Sequence, residues 1–264
     1  MLNFVHQVIV PVRKTASEAS EQVTQLLFGD CVQVLEEDGG WRKVRNQSDG
    51  YEGWANRKLL LDVEDNFLQG VSQWQFVTAL AHELKCSLNG LEVILPLTMG
   101  CKVPVFEAPN RNSDHALRFG SWETRIPASI CAPALPPTPF NLLNVSERYL
   151  GAPYLWGGKS KWGIDCSGFT QMVHAFCGIQ LPRDAYQQAD ATDKTVSYGQ
   201  HQPGDLAFFK NETGRITHVG LVISESQIRH AHGFVHDAWL RPEGIFSPFT
   251  QLQTHTLAKI CRFL

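Results

Sequence analysis

Seven cysteines in a chain of 264 residues are an odd number, and no two of them stand in a CxxC spacing. Neither a disulfide framework nor a cysteine zinc site is therefore expected to organise the fold. The thiols at positions 31, 86, 101, 131, 166, 177 and 261 read as reduced, most of them serving as small buried apolar groups. Equally missing is any apolar run of 18 residues, which excludes an ordinary membrane-spanning helix. The opening MLNFVHQVIVPVRKTASEAS has no basic stretch leading into a sustained apolar one and a small-residue cleavage site. Unless a leader has been removed, that predicts a cytoplasmic protein. Nor is there an excess of one charge: a net charge of -3, a pI near 6.4 and no long run of like charges leave no footprint for nucleic acid or an anionic membrane surface.

What is present is an ordinary globular composition, 43% hydrophobic and 10% aromatic, in a chain long enough for one large domain or two to three small ones. From residue 8 to about residue 61 short apolar runs alternate with turns: VIVPVR, QVTQLLFGDCVQVLEE, a GG turn, WRKVR, an SDG turn, then YEGWA. This grammar predicts a small all-β barrel, and the succession resembles a bacterial SH3-like (SH3b) module over residues 1–62. A weaker echo, LPLTMGCKVPVFEAP and HALRFGSWETRI, predicts a second, diverged SH3b-like domain over 63–131. The segment APALPPTP, residues 132–139, holds four prolines in eight and reads as a stiff linker.

After the linker, over residues 140–264, helical signals come first and strands later. FNLLNVSERYLG has helical spacing and meets Gly151 and Pro153. CSGFTQMVHAFCG puts Phe169, Val173, Phe176 and Cys177 on one stripe. DLAFFK, THVGLVISE, QIRHAHGF and TLAKICRFL then read as strands. Helices followed by a run of strands predict an α+β domain with an antiparallel sheet.

Cys166 stands at the predicted start of the second helix, where the dipole and unpaired amides favour a thiolate nucleophile. Such a nucleophile needs an imidazole base and a group to orient it. Alternation puts His218, Gly220 and Val222 on one face of THVGLVISE, and Ile228, His230 and His232 on one face of the next run. A turn at residues 224–227 would lay the two strands side by side and can bring His218 and His230 together. The register is open in the sequence. The His-x-His pattern of His230, His232 and His236 could chelate a metal, but no carboxylate or cysteine spacing completes the set, and no metal is expected.

YLWGG at 154–158, DCSGF at 165–169, LPRDAYQQ at 181–188, GDLAFF at 204–209, HVG at 218–220 and IRHA at 228–231 together resemble the signature set of the NlpC/P60 cysteine peptidases. The resemblance implies a papain-like α+β catalytic domain, preceded here by two small all-β SH3b-like barrels. It also implies Cys166 as nucleophile, His218 as base and His230 as the orienting residue, with no cofactor. With the SH3b modules, the chain is similar to the branch that cuts muropeptides between γ-D-glutamate and an L-diamino acid. That likeness implies a substrate site lined by Tyr154, Asp165 and Ser167, with Trp156 as a wall. From the first barrel come Tyr51 and, as a candidate carboxylate for a free L-Ala ammonium, Glu21. Ala185 stands where relatives often carry serine, so a hydrogen bond there is not expected.

The function expected on this basis is hydrolysis of the γ-D-Glu-L-diamino acid bond (Lys or diaminopimelate) in muropeptides with a free N-terminal L-Ala, during cell-wall recycling. Two rivals share these features. One is an amidase or acyltransferase using the same Cys-His pair, and the other is a non-catalytic wall-binding SH3b protein.

Overall fold

In IVPVR and WRKVR every second residue turns inward, the alternation that a half-buried strand requires. In the computed structural model, which describes residues 1–106 and 114–264, these runs belong to a seven-stranded antiparallel sheet between Leu2 and Val63. Val5, Val10, Val12, Leu26, Val32, Val44, Ala55 and Leu60 fill its core. The same alternation buries Arg42. Its guanidinium donates to Asn3 Oδ1 at 2.7 Å, Asp62 Oδ1 at 2.6 Å and Glu37 Oε1 at 2.8 Å. A buried cation is tolerable only with that degree of pairing.

Among the described residues, strands between residues 73 and 132 form two further sheets, of four and three strands. They share a compact unit with the first sheet, Met1–Ala134. Phe4, Phe28, Phe67, Phe119 and Trp122 meet in one aromatic cluster, and Lys102 Nζ donates to Asp30 Oδ1 at 3.0 Å and Ser48 Oγ at 2.7 Å. The EAP end of the predicted run LPLTMGCKVPVFEAP lies outside the described residues.

The second compact unit is Leu135–Leu264, so the division falls inside the proline-rich segment. Pro139 departs from the expected linker, because it is the first residue of α1 (Pro139–Glu147). The hydroxyl of Thr138 accepts from Asn141 N at 3.2 Å as the cap. Proline is tolerated there because a first-turn N–H has no helical acceptor to lose. α1 ends at Glu147, earlier than the helical pattern suggests, and the chain reverses through Gly151 at φ +76°. α2 (Cys166–Phe176) is capped by Asp165, and α3 (Ala185–Asp190) by Asp184 with Gln187 in a reciprocal capping box.

The main sheet of the unit has seven strands, the short Thr195–Val196 paired to the end of the last one and six longer ones: β1 (Leu206–Lys210), β2 (Ile216–Ser224), β3 (Gln227–His232), β4 (Phe234–Arg241), β5 (Gly244–Phe246) and β6 (Gln253–Cys261). They are antiparallel in the order β6-β1-β2-β3-β4-β5, and β5 pairs back onto β6. Closure leaves none of the six as a bare edge. Ala207, Phe209, Val222, Ile228, Ala238, Leu240, Ile245 and Ile260 make the apolar core of this closed sheet, and α2 packs against β2 and β3. Among the described residues no disulfide joins the cysteines, and no helix is long and apolar enough to cross a membrane.

The glycines of YLWGGKSKWGIDCSGF are explained by close packing of loop on helix. Gly157 takes φ +74°. A Cβ on Gly158 would lie 2.4 Å from the Gly163 carbonyl oxygen, and one on Gly168 would lie 2.2 Å from the Gly158 carbonyl oxygen. Because these obstacles are backbone, neither can swing aside. Helix propensity alone would make Gly168→Ala stabilising by about 1 kcal/mol. The clash reverses the sign, and the expected outcome is destabilisation of about 1–3 kcal/mol, measured as a lower denaturant midpoint at unchanged m-value.

Candidate active site

Asp165 joins three segments at the start of α2. Its Oδ1 accepts from Gly168 N at 2.7 Å, and its Oδ2 from Gly157 N at 2.8 Å. Arg183 closes on both oxygens, Nη1 to Oδ1 at 3.0 Å and Nη2 to Oδ2 at 2.6 Å. Ser167 Oγ donates to Oδ1 at 3.3 Å and accepts from Arg183 Nη1 at 2.9 Å. Asp165, Ser167 and Arg183 are all buried, so this bidentate pair is shielded from solvent.

Cys166, the first residue of α2, is 6% exposed. The backbone amides of Val219 and Ser167 favour its ionised form, and α2 packs against the strand that bears His218. The expected thiolate is not what these surroundings favour. Burial first, and then the Asp165 charge, push the thiol from its ordinary 9.0 up to about 12. The two amides and Arg183 act in the opposite direction but are the smaller influences.

His218 lies on β2, and its Nε2 is 2.8 Å from His230 Nδ1 on β3. The register that the sequence left open pairs Leu221 with Arg229 and Val222 with Ile228, which sets His230 opposite Gly220. An added Cβ at Gly220 would lie 2.7 Å from Ile228 Cδ1 and 3.0 Å from His230 Cβ. Glycine thus leaves the room into which His230 leans towards His218. With Nε2 donating in this bond, His218 Nδ1 keeps the lone pair a general base needs. Burial first, then the neighbouring rings of His255, His230, His232 and His236, hold the His218 pKa well below its ordinary 6.5. Each group's own surroundings favour its uncharged form, a thiol at Cys166 and a neutral imidazole at His218.

Tyr154 is 36% exposed, and its hydroxyl is kept protonated by burial first, and then by the proximity of Cys166 and Asp165. It is therefore a hydrogen-bond donor beside the thiol. Trp156, 59% exposed, lies in the same loop. Tyr51 and Glu21 belong to the N-terminal unit: Tyr51 N donates to Asp49 Oδ1 at 3.0 Å in a turn, and Glu21 pairs with Lys14 at 3.5 Å. Asp205 takes a structural part, accepting from Gln202 N and from Arg262.

Three residues of this region carried no assignment in the sequence reading. Arg183 stood unremarked inside LPRDAYQQ, and Gly220 inside HVG. His255 lies in the last strand with no motif around it, yet its ring stacks on that of His218 at 4.0 Å. One ring nitrogen each from His218, His230 and His255 lies within 4.8 Å of the others, a different metal-competent set from the HAHGFVH one, with His230 alone in common.

The NlpC/P60 family model matches residues 151–241, and that of the bacterial dipeptidyl-peptidase SH3 domain matches residues 12–60. A Bacillus subtilis (strain 168) protein named gamma-D-glutamyl-L-lysine dipeptidyl-peptidase is 31% identical over 217 residues, which are 79% of this chain and 71% of that protein. A Bacillus cereus (strain ATCC 10987 / NRS 248) protein of the same name is 29% identical over 81% of this chain and 68% of that one. In fold, the chain is similar to the crystal structure of an NlpC/P60 family protein from Bacillus cereus ATCC 10987, with a TM-score of 0.81 at 20% identity and 100% coverage of both chains.

Two outcomes follow from the neutral pair and the glycine opposite His230. Iodoacetamide should alkylate Cys166 ever faster as the pH is raised past 9, with no plateau across neutral pH; a rate independent of pH between 5 and 8 would instead reveal a resting thiolate-imidazolium pair. Gly220→Ala should lower kcat about 10- to 100-fold with KM nearly unchanged, since the added methyl displaces His230 and not the substrate. Steady-state kinetics on the variant decides this.

Proposed function

The chain belongs to the NlpC/P60 family and carries a bacterial SH3 domain ahead of its peptidase domain, and on that premise we propose that it is a cysteine peptidase that hydrolyses the γ-D-glutamyl-L-diamino acid bond of short muropeptides. The observation that carries this reading is the His218–His230 hydrogen bond of 2.8 Å on the strand against which the helix opened by Cys166 packs. In the proposed mechanism His218 Nδ1 takes the thiol proton as Sγ attacks the γ-carbonyl of D-glutamate, and His230 holds the imidazole and shares the charge it acquires. A neutral pair suits this concerted transfer, because the ion pair forms only as the tetrahedral centre develops. The Cys166 amide at the open helix end and the protonated Tyr154 hydroxyl are the donors for the oxyanion. His218 then gives its proton to the departing amine, and water activated by the same imidazole hydrolyses the thioester.

The specificity within this reading is the L-Ala-γ-D-Glu unit followed by Lys or diaminopimelate, supported for lysine by the names of the two Bacillus relatives. Asp165 and Ser167, together with Tyr154 and Trp156, line the site for that unit. The same reading requires an acceptor for the free ammonium of L-Ala. Residues 63–131 act in this scheme as a second SH3b-like module. A pocket that needs a free ammonium rejects a stem still N-acylated to sugar, so the enzyme works on trimmed peptides in the cytoplasm, in cell-wall recycling.

Mass spectrometry of products from L-Ala-γ-D-Glu-L-Lys-D-Ala, its diaminopimelate counterpart and its N-acetyl form tests this reading. The expected products are L-Ala-γ-D-Glu and a free diamino-acid peptide from the unblocked substrates, with the N-acetyl peptide spared. Cys166→Ala and His218→Ala should be inactive yet unfold at nearly the wild-type temperature, whereas His230→Asn keeps part of the rate because an amide still orients the ring. Cleavage elsewhere, or turnover by Cys166→Ala, would sink the assignment.

A further inference from the structure

The hairpin HAHGFVH and the last strand bring more imidazole to the closed sheet than peptide hydrolysis uses. Ring centroids of His218 and His255 are 4.0 Å apart, those of His230 and His236 4.7 Å, and those of His232 and His255 5.0 Å. His230 is 1% exposed, and its Nε2 has no hydrogen-bond partner among the described residues. The buried rings of His218 and His230, with the half-buried ring of His255 beside them and an unsatisfied nitrogen on His230, are chemically a ligand set for a borderline metal ion.

We propose that His218, His230 and His255 form a binding site for a borderline divalent transition-metal ion, Zn²⁺ in the first place, and that its occupancy switches the peptidase off by withdrawing His218 from Cys166. The three nitrogens lie within 4.8 Å of one another, and His218 Nε2 is 2.8 Å from His230 Nδ1. Zinc-nitrogen bonds of about 2.0–2.1 Å at tetrahedral angles require nitrogens about 3.3 Å apart. The hydrogen-bonded pair must open by roughly 0.5 Å and His255 close by somewhat more, shifts that ring rotations supply. Water takes the fourth position.

The proton balance explains the inhibition. Metal at His218 Nε2 and His230 Nδ1 takes the place of the proton between them, and each ring then carries its single proton on its other nitrogen. For His230 that nitrogen is the unpartnered Nε2. For His218 it is Nδ1, which then has no lone pair for the thiol. No net proton leaves the protein, and no redox step is needed. This differs from ordinary metal poisoning of a thiol enzyme, in which sulfur is the ligand.

Co²⁺ titration of the purified full chain tests the site directly, because tetrahedral cobalt gives strong visible bands and a cobalt-thiolate bond adds a near-ultraviolet charge-transfer band. The expected result is the visible bands without the thiolate band, in wild type and in Cys166→Ala alike, with Zn²⁺ displacing the cobalt. His255→Phe keeps a stacked ring but removes the ligand nitrogen. Loss of even an outer-shell partner weakens metal binding about 10- to 100-fold, so this variant should bind Co²⁺ and Zn²⁺ at least about 100-fold more weakly, while hydrolysing substrate and resisting Zn²⁺ inhibition. His255→Gln serves the same purpose if the phenylalanine variant fails to fold. A cobalt spectrum that vanishes in Cys166→Ala and survives in His255→Phe would overturn the proposal in favour of thiol capture, and no tetrahedral spectrum in wild type would overturn it outright. The optical readout needs no substrate, so it stands apart from the reading of the reaction.

Discussion

The Asp165 carboxylate is the constraint on which the C-terminal unit depends. Five donor contacts converge on its two oxygens: the amides of Gly157 and Gly168, the Ser167 hydroxyl and the two guanidinium nitrogens of Arg183. Together they fasten the tyrosine-tryptophan loop, the first turn of α2 and the segment before α3 to one point. A buried ion pair of this kind adds little net stability compared with an apolar replacement, but removing one partner costs about 3–5 kcal/mol. Its value lies in geometry, because Cys166 can have only one position when the residues before and after it are both held.

The same carboxylate works against the thiolate that the helix end would favour. Helix-dipole stabilisation of an anion is worth about 0.3–1 kcal/mol near an exposed terminus. Withdrawal of the thiol from water and a neighbouring negative charge outweigh it, and the thiol rests protonated. The imidazole side is symmetrical in its logic, since desolvation and four other rings keep His218 uncharged. Charge separation is thereby deferred until substrate is present, which limits adventitious reaction of a deeply placed nucleophile.

Closure of the sheet through its six longer strands is what collects the histidines. β5 pairs with β6 through Ile245 and His255, and β6 pairs with β1 through Phe209 and Leu257, so residues from opposite ends of the domain sequence face one interior. Apolar side chains such as Val222, Ile228 and Leu240 fill one part of it, and imidazoles occupy the other. In the N-terminal unit the comparable polar burial is Arg42, where three acceptors drawn from three separate strands satisfy one cation.

Much of this was legible from residue order alone. Periodicity showed the start of α2 at Cys166, the strand character of THVGLVISE and QIRHAHGF, and the all-β character of the N-terminal region, because these depend on local backbone preferences and on burial of one face. The helix start also places Cys166 at the positive end of a dipole, a property of its position. What only the tertiary structure decided is whatever depends on pairing between distant segments: the register that sets His230 against Gly220, the return of the last strand that stacks His255 on His218, and the meeting of Arg183 with Asp165. The resting protonation of Cys166 belongs with these, since the local helix end favours a thiolate and only three-dimensional burial reverses it. A side chain's period is written in its neighbours, whereas its solvent and its charged partners come from chain far away in sequence.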